Sequence, residues 1–233
     1  FLGRGAHAGG APHLGINALN AASLAMMAIH ANRETFQDED TIRVHPIITK
    51  GGEAVSAVPA DVRMETFVRG RTMDAIMDAN KKVDRALRAG AMAVGASVNI
   101  QTIPGYMPLD QDKNLSEVFQ ANAESLVGTD NVGYVAHRTG STDMGDISQL
   151  MPAIHPYVGG ASGLGHGADY VIEDYGLAVI TAAKVLAGTA IDLMADGANS
   201  AGKIIAGHRP NMTIAEYLKS MREIASDETY KDE

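Results

Sequence analysis

The sequence predicts a mixed α/β (α+β) chain. It opens with a split βαβ domain of the ferredoxin-like kind (βαββαβ) and continues into a second, loop-rich α/β segment. Three observations carry this. Over the first 110 residues the apolar periodicity runs strand, helix, strand, strand, helix, strand. A polar connector at residues 109–114, LDQDKN, then marks a shift in composition. Beyond it, residues 140–170 concentrate glycine, proline, histidine and aspartate between apolar segments, which suits a loop system on a rigid support. The expected division is therefore residues 1–110 and residues 111–233.

Each element has a local reason. Phe1-Leu2 reads as the inside of a strand and points to a fragment of a longer polypeptide. Residues 16–31 place Ile16, Leu19, Met26 and Met27 near helical period, with Asn17 or Gly15 at the start. Residues 41–49 (TIRVHPIIT) are β-rich, and Gly51-Gly52 turns the chain. Residues 58–69 then put Val62, Met64, Thr66 and Val68 on one side of a strand, with Pro59 near its start, where a missing amide does no harm. Thr72 is suited to cap a helix that Asp74 favours through the dipole. Ile76, Val83, Leu87 and Ala91 give that helix one apolar face. Residues 96–103 alternate again, and the domain closes near Pro108.

In the second segment Leu115, Val118, Phe119 and Leu126 predict an amphipathic helix, and residues 132–136 a short strand. Residues 175–194 form the most apolar run. Lys184 and Asp192 interrupt it, so a buried core helix is expected rather than a membrane span. Ile214, Leu218, Met221 and Ala225 stripe a last helix, and the tail DETYKDE is expected to fray.

The formal net charge is -9 and no Lys/Arg cluster appears in the sequence, which argues against nucleic acid as a partner. Cysteine is absent, which excludes disulfides, thiolate metal sites and cysteine catalysis. The same absence fits a reducing compartment, and a cytoplasmic protein is expected.

Five residues carry candidate chemistry, each beside a plainer use. His166, flanked by glycines in GLGHGADY, is a metal ligand or a loop histidine in solvent. His155, held extended by Pro156, faces a cleft or packs beside Tyr157. Thr142, between Ser141 and Asp143, presents its hydroxyl to an anionic group or caps a turn. A serine hydrolase built on Ser141 lacks any G-x-S-x-G elbow. His7, in GRGAHAGG, stabilises an oxyanion or sits in a surface turn, and the glycine spacing there is not a dinucleotide fingerprint. Arg69, at a strand end, clamps a carboxylate or stands as a solvated edge charge.

Taken in order, FLGRGAHAGGAPHLGINALNAA, HPIITKGGEAVSAVPADVRMETFVRG and GSTDMGDISQLMPAIHPYVG followed by GHGADY resemble the M20 metallopeptidases and amidohydrolases. Within that family they resemble the branch of aminobenzoyl-glutamate hydrolases and related dipeptidases. The first two stretches look like its lid domain and the third like the end of its catalytic domain. The resemblance implies hydrolysis of the amide bond of an N-acyl amino acid or dipeptide by a water activated on a divalent metal, zinc or manganese. It implies a homodimer paired through the lid, while charge and apolar run length lead to no nucleic-acid or membrane partner being expected. The family's last metal-binding histidine falls on His166. The lid histidine that reaches the partner's active site falls on His7, and the lid arginine for a substrate carboxylate on Arg69. His155 falls in the I-H-P element near the site, which assigns it no particular role; with Arg69 and Thr142 it is expected among the substrate-binding residues. Two departures stand out. Ser56 replaces the usual asparagine, and no H-x-D or E-E motif occurs here. The resemblance therefore implies that this chain alone is inactive. The alternative reading is a non-catalytic dimerisation module of the same family.

Overall fold

A computed structural model describes residues 1–231. It is a mixed α+β structure, with six α-helices and two-stranded sheets among the described residues. Its contacts group into two compact units. The first holds Phe1–Pro108, His137–Ser141 and the chain from Ala215 onward; the second holds Leu109–Ala136 and Thr142–Ile214.

In the first unit, α1 (Ala18–Ala31) begins where the sequence places it. The Asn17 side chain accepts from the amides of Leu19 and Asn20 and so satisfies two donors that the helix leaves open. Its buried face is mostly alanine: Ala18, Ala21, Ala22 and Ala25, with Ile29. The helix α2 (Met73–Met92) starts at Thr72, whose hydroxyl accepts from Ala75 N. Gly90 is what lets the two helices approach. A Cβ there would lie 2.5 Å from Ala21 O and from Ala25 N. The helices share one core with Ile42, Val44, Val98 and Ile100.

The predicted second strand is split. β1 (Arg43–Val44) and β2 (Ile47–Lys50) flank His45-Pro46, where proline supplies no ladder amide. The return strand is divided to match, into β3 (Arg63–Glu65) and β4 (Val68–Arg69). The two halves form one antiparallel hairpin: Lys50 pairs with Arg63, Ile47 with Glu65, Val44 with Val68 and Arg43 with Arg69. Leu2 bridges both Asp61 and Ser97, so the N-terminal segment lies between the hairpin and β5 (Val98–Thr102).

A further strand, β8 (Ser226–Tyr230), pairs with the whole of β5. The tail, expected to fray, is ordered here through Tyr230. Asn99 Nδ2 donates to Asp227 Oδ1 at 2.7 Å and to Thr229 Oγ1 at 3.0 Å, and the Arg88 guanidinium stacks 4.7 Å from the Tyr230 ring centre. Polar cross-strand pairs hold a strand that has no apolar alternation to announce it. Asp232 and Glu233 lie outside the described residues.

In the second unit, α3 (Lys113–Val127) is capped by Asp112, whose Oδ1 accepts from Leu115 N at 2.8 Å. Residues 132–136 form no strand. They follow a 3₁₀ turn at Thr129–Asn131, and Tyr134 and Val135 stand exposed with no strand beside them among the described residues. The glycine-rich stretch contains α4 (Met144–Leu150) and a small hairpin of β6 (Ala161–Ser162) and β7 (Val171–Ile172). A π-helical turn, Gly176–Thr181, leads into α5 (Ala182–Gly207). The helical path breaks at Ala195, Asp196, Gly197 and Ala198, just beyond the predicted end.

The expectation of a buried helix here is corrected. Only Val185, Thr189 and Ile204 of α5 are buried, whereas Leu186, Ile191, Met194 and Ile205 are more than half exposed. By length and composition alone, Gly176–Gly207 could cross a membrane, which departs from the expectation that no segment could. The helix is uncovered because α3 packs along one side of α5, where the Asn122 side chain donates to Asp192 at 2.6 Å, and the remaining apolar residues find no cover among the described residues; the apolar length comes from the helix running on to Gly207. The last helix, α6 (Ile214–Ile224), holds the predicted stripe of Ile214, Leu218 and Met221, and from Ala215 onward it belongs to the first unit.

Candidate functional site

The first unit carries His7 and Arg69. His7 is exposed in the turn before α1, and its main chain bridges Ala57. Its Nδ1 accepts from the amides of Gly9 at 3.1 Å and Gly10 at 2.9 Å. A Cβ at Gly9 or Gly10 would lie 3.5 Å or more from the ring, so the course of the turn, and not the want of side chains, brings these amides onto one ring nitrogen. With Nδ1 used as an acceptor, the ring proton of the neutral imidazole sits on Nε2, which points a single N–H donor away from the turn.

Arg69 ends β4 and is half-buried. Its guanidinium lies 5.1 Å from the Phe67 ring centre and makes no ion pair among the described residues. The hairpin register separates the two residues. Ala57, the bridge partner of His7, sits by the closed end of the hairpin, whereas Arg69 pairs with Arg43 at its open end. A small ligand bound within one protomer therefore does not touch both.

The second unit carries the other three. The Thr142 hydroxyl donates to Asp143 Oδ1 at 3.1 Å and accepts weakly from Met144 N at 3.4 Å, ahead of α4. Both contacts stay within the turn, and α4 itself has no side-chain cap. His155 is half-buried. Its amide donates to Gln111 Oε1 at 2.7 Å, its ring meets Tyr157 edge-on at 5.7 Å, and its Nδ1 is buried with no partner. His166 stands exposed between β6 and β7 with a left-handed backbone, φ 66°. A non-glycine residue there is uncommon and marks a conformation that its surroundings impose. No hydrogen bond or ion pair joins Thr142, His155 and His166 among the described residues. Nor does any group of three His, Cys, Asp or Glu side chains come together as a metal site. The described residues thus do not fit a bound metal by themselves, and His166 has no companion ligand.

Sequence reasoning passed over a more structured cluster in the same unit. Connector residues 110–112 tie several segments together. Asp110 N donates to Ser148 Oγ at 3.0 Å, Asp112 N donates to Ala153 O at 2.9 Å, and Asn211 Nδ2 donates to Asp110 Oδ2 at 2.8 Å. The Asp112 carboxylate, nearly buried, also meets His208 Nδ1 at 3.1 Å, leaving His208 Nε2 buried without a partner. The one local signal was helix punctuation: Asp112 reads as an N-cap, and His208 precedes Pro210 after the last residue of α5. Their pairing is a long-range fact.

With this geometry in hand, comparison with known proteins is specific. Residues 1–93 match a family described as the peptidase dimerisation domain, M20_dimer. The chain is 32% identical over 205 residues to the Xaa-Arg dipeptidase of Mus musculus, covering 83% of this chain and 46% of that protein. It is 30% identical over 206 residues to the Xaa-Arg dipeptidase of Homo sapiens, with the same two shares. It is also 28% identical over 106 residues to a p-aminobenzoyl-glutamate hydrolase homolog of Haemophilus influenzae, covering 46% of this chain and 23% of that one. The chain spans about half the length of the first two curated relatives.

Proposed function

From the premise that this chain carries an M20 peptidase dimerisation domain over residues 1–93 and is a homologue of M20 hydrolases, we propose that it is the lid and part of the catalytic domain of an amidohydrolase. The substrate is an N-acyl amino acid or dipeptide, in keeping with the names of its relatives. The first unit is read as a ferredoxin-like lid. The side-by-side order of β8, β5, the N-terminal segment, β3 and β2 supports that reading.

The observation that carries the proposal is the anchored imidazole of His7. An amide carbonyl under attack develops negative charge on oxygen. A donor fixed before the reaction stabilises that charge without reorganising, an effect of about 3 kcal/mol for one donor. His7 Nε2–H is such a donor, held by the Gly9 and Gly10 amides. Because Arg69 lies at the far end of the hairpin, the reading assigns His7 to the partner's substrate and Arg69 to a substrate carboxylate in its own protomer.

Metal dependence is what the family implies. His166 is the residue here for that role, and no second ligand stands beside it among the described residues. The uncovered apolar side of α5 fits a chain that works with further polypeptide against it. By itself the chain is then inactive.

The test has two arms. Purified chain is assayed on an Xaa-Arg dipeptide and on aminobenzoyl-glutamate with added zinc or manganese. No turnover is expected, and sustained hydrolysis would refute inactivity of the isolated chain. Light scattering then compares wild type with Ile47→Glu. Ile47 lies on β2, an edge strand, and is 60% exposed. A dimer that becomes a monomer supports pairing through the lid. A wild-type monomer removes it.

A further inference from the structure

Near the open end of the hairpin is a cleft of about 340 Å³, the size of a small-molecule site. Arg33, Phe36, Gln37, Asp38, Thr41 and Arg43 line it. Arg33 is fixed in place: Nε donates to His30 Nδ1 at 3.0 Å and one terminal nitrogen to Val44 O at 2.7 Å, which leaves the other terminal nitrogen without an acceptor. Arg43 spends one N–H on Ile42 O at 2.9 Å. Neither guanidinium makes an ion pair among the described residues, although the chain carries a net charge of -9. The register sets Arg69 directly opposite Arg43. Like charges facing each other across a ladder cost stability unless an anion offsets them. Nearby, the ammonium of Lys82 lies over the Phe36 ring but is already paired with Asp78.

Two further features narrow the ligand. The Thr41 hydroxyl is buried with no hydrogen-bond partner, and a buried hydroxyl of that kind marks a missing partner. The same wall holds one carboxylate, Asp38, which is exposed. A phosphate or a dicarboxylate would meet Asp38 as a like charge. A ligand with one carboxylate and one ammonium meets opposite charges at both ends.

We propose that this cleft binds the zwitterion of a free α-amino acid. The carboxylate engages Arg43 and Arg33 and takes the Thr41 hydroxyl, the ammonium faces Asp38, and Phe36 offers an apolar wall to the side chain. The inference does not depend on amide hydrolysis, since it concerns binding alone.

The test is an NMR titration of the full chain with L-alanine, acetate and ethylamine as separate probes. L-Alanine is expected to shift residues 33–43 saturably, with the two single-charge probes at least about ten-fold weaker. Arg43→Gln and Asp38→Asn are each expected to weaken L-alanine about ten-fold with no fall in melting temperature, since both side chains are exposed. Thr41→Val is a third variant that keeps the shape and removes the hydroxyl, and it should weaken binding likewise. Acetate binding as tightly as L-alanine would overturn the proposal. So would an absence of shifts at about 100 mM L-alanine, or affinities that all three substitutions leave unchanged.

Discussion

Asp112 and His208 meet across the second unit with Oδ2 3.1 Å from Nδ1, while the other oxygen of the same carboxylate caps α3. One nearly buried side chain thus serves a helix start and a long-range tie. Asp112→Ala removes both and leaves the His208 ring with neither nitrogen paired. The expected loss is about 2–3 kcal/mol, near the sum of a cap and a buried hydrogen bond. Asp112→Asn keeps a good cap and should cost less than half of that. Urea unfolding of the two variants distinguishes the cases. Equal losses would mean that the cap contributes nothing separable.

Gly90 sits where a Cβ would strike the backbone of α1 at Ala21 and Ala25. Backbone cannot swing aside as a side chain can. Gly90→Ala, which would raise intrinsic helix propensity, is therefore expected to destabilise by about 1–3 kcal/mol. A gain in melting temperature would contradict the close approach of the helices.

Asp84 on α2 is half-buried beside Arg88 and Glu228, and burial raises its carboxyl above the usual carboxylate range. The folded state then holds that proton more tightly than the unfolded state does. Its contribution to stability is present below the unfolded pKa and is lost as pH rises through the raised value. Asp84→Asn should melt roughly 1–3 °C higher than wild type at neutral pH. The gap should close below about pH 4. A gap that is the same at both pH values would place the cause elsewhere.

His7 gives a kinetic prediction for a hydrolysis-competent protein that includes this chain. His7→Ala should lower kcat by about 10²–10³-fold with little change in KM, as expected for a donor used only in the transition state. Mixed dimers of His7→Ala and His166→Ala protomers should recover part of the activity, because each variant supplies what the other lacks. Mixtures no more active than either parent would place His7 in its own protomer's site.

Legibility in the sequence followed the range of the interaction. Asn17 and Thr72 announced their helices because a cap is settled within three residues, and both caps are formed. Pro46 lay in plain view, yet its effect, a strand cut in two, depends on the partner strand breaking at the same place. β8 was hidden because its stability comes from Asn99 and Arg88, far back in the chain, and not from its own alternation. Residues 132–136 had β-like composition and no neighbour to pair with among the described residues. The local motif placed His7 in a glycine-rich turn ahead of a helix, but not the two amides that meet its ring. The Asp112–His208 tie and the opposition of Arg43 and Arg69 are products of the fold.

The strand at Ser226–Tyr230 completes a sheet begun at the first residues of this chain. During synthesis, every residue of the second unit leaves the ribosome before that strand does. Until it arrives, β5 shows an open edge, which other chains can join. Speed of translation through the intervening residues thus bears on whether nascent copies mature or aggregate.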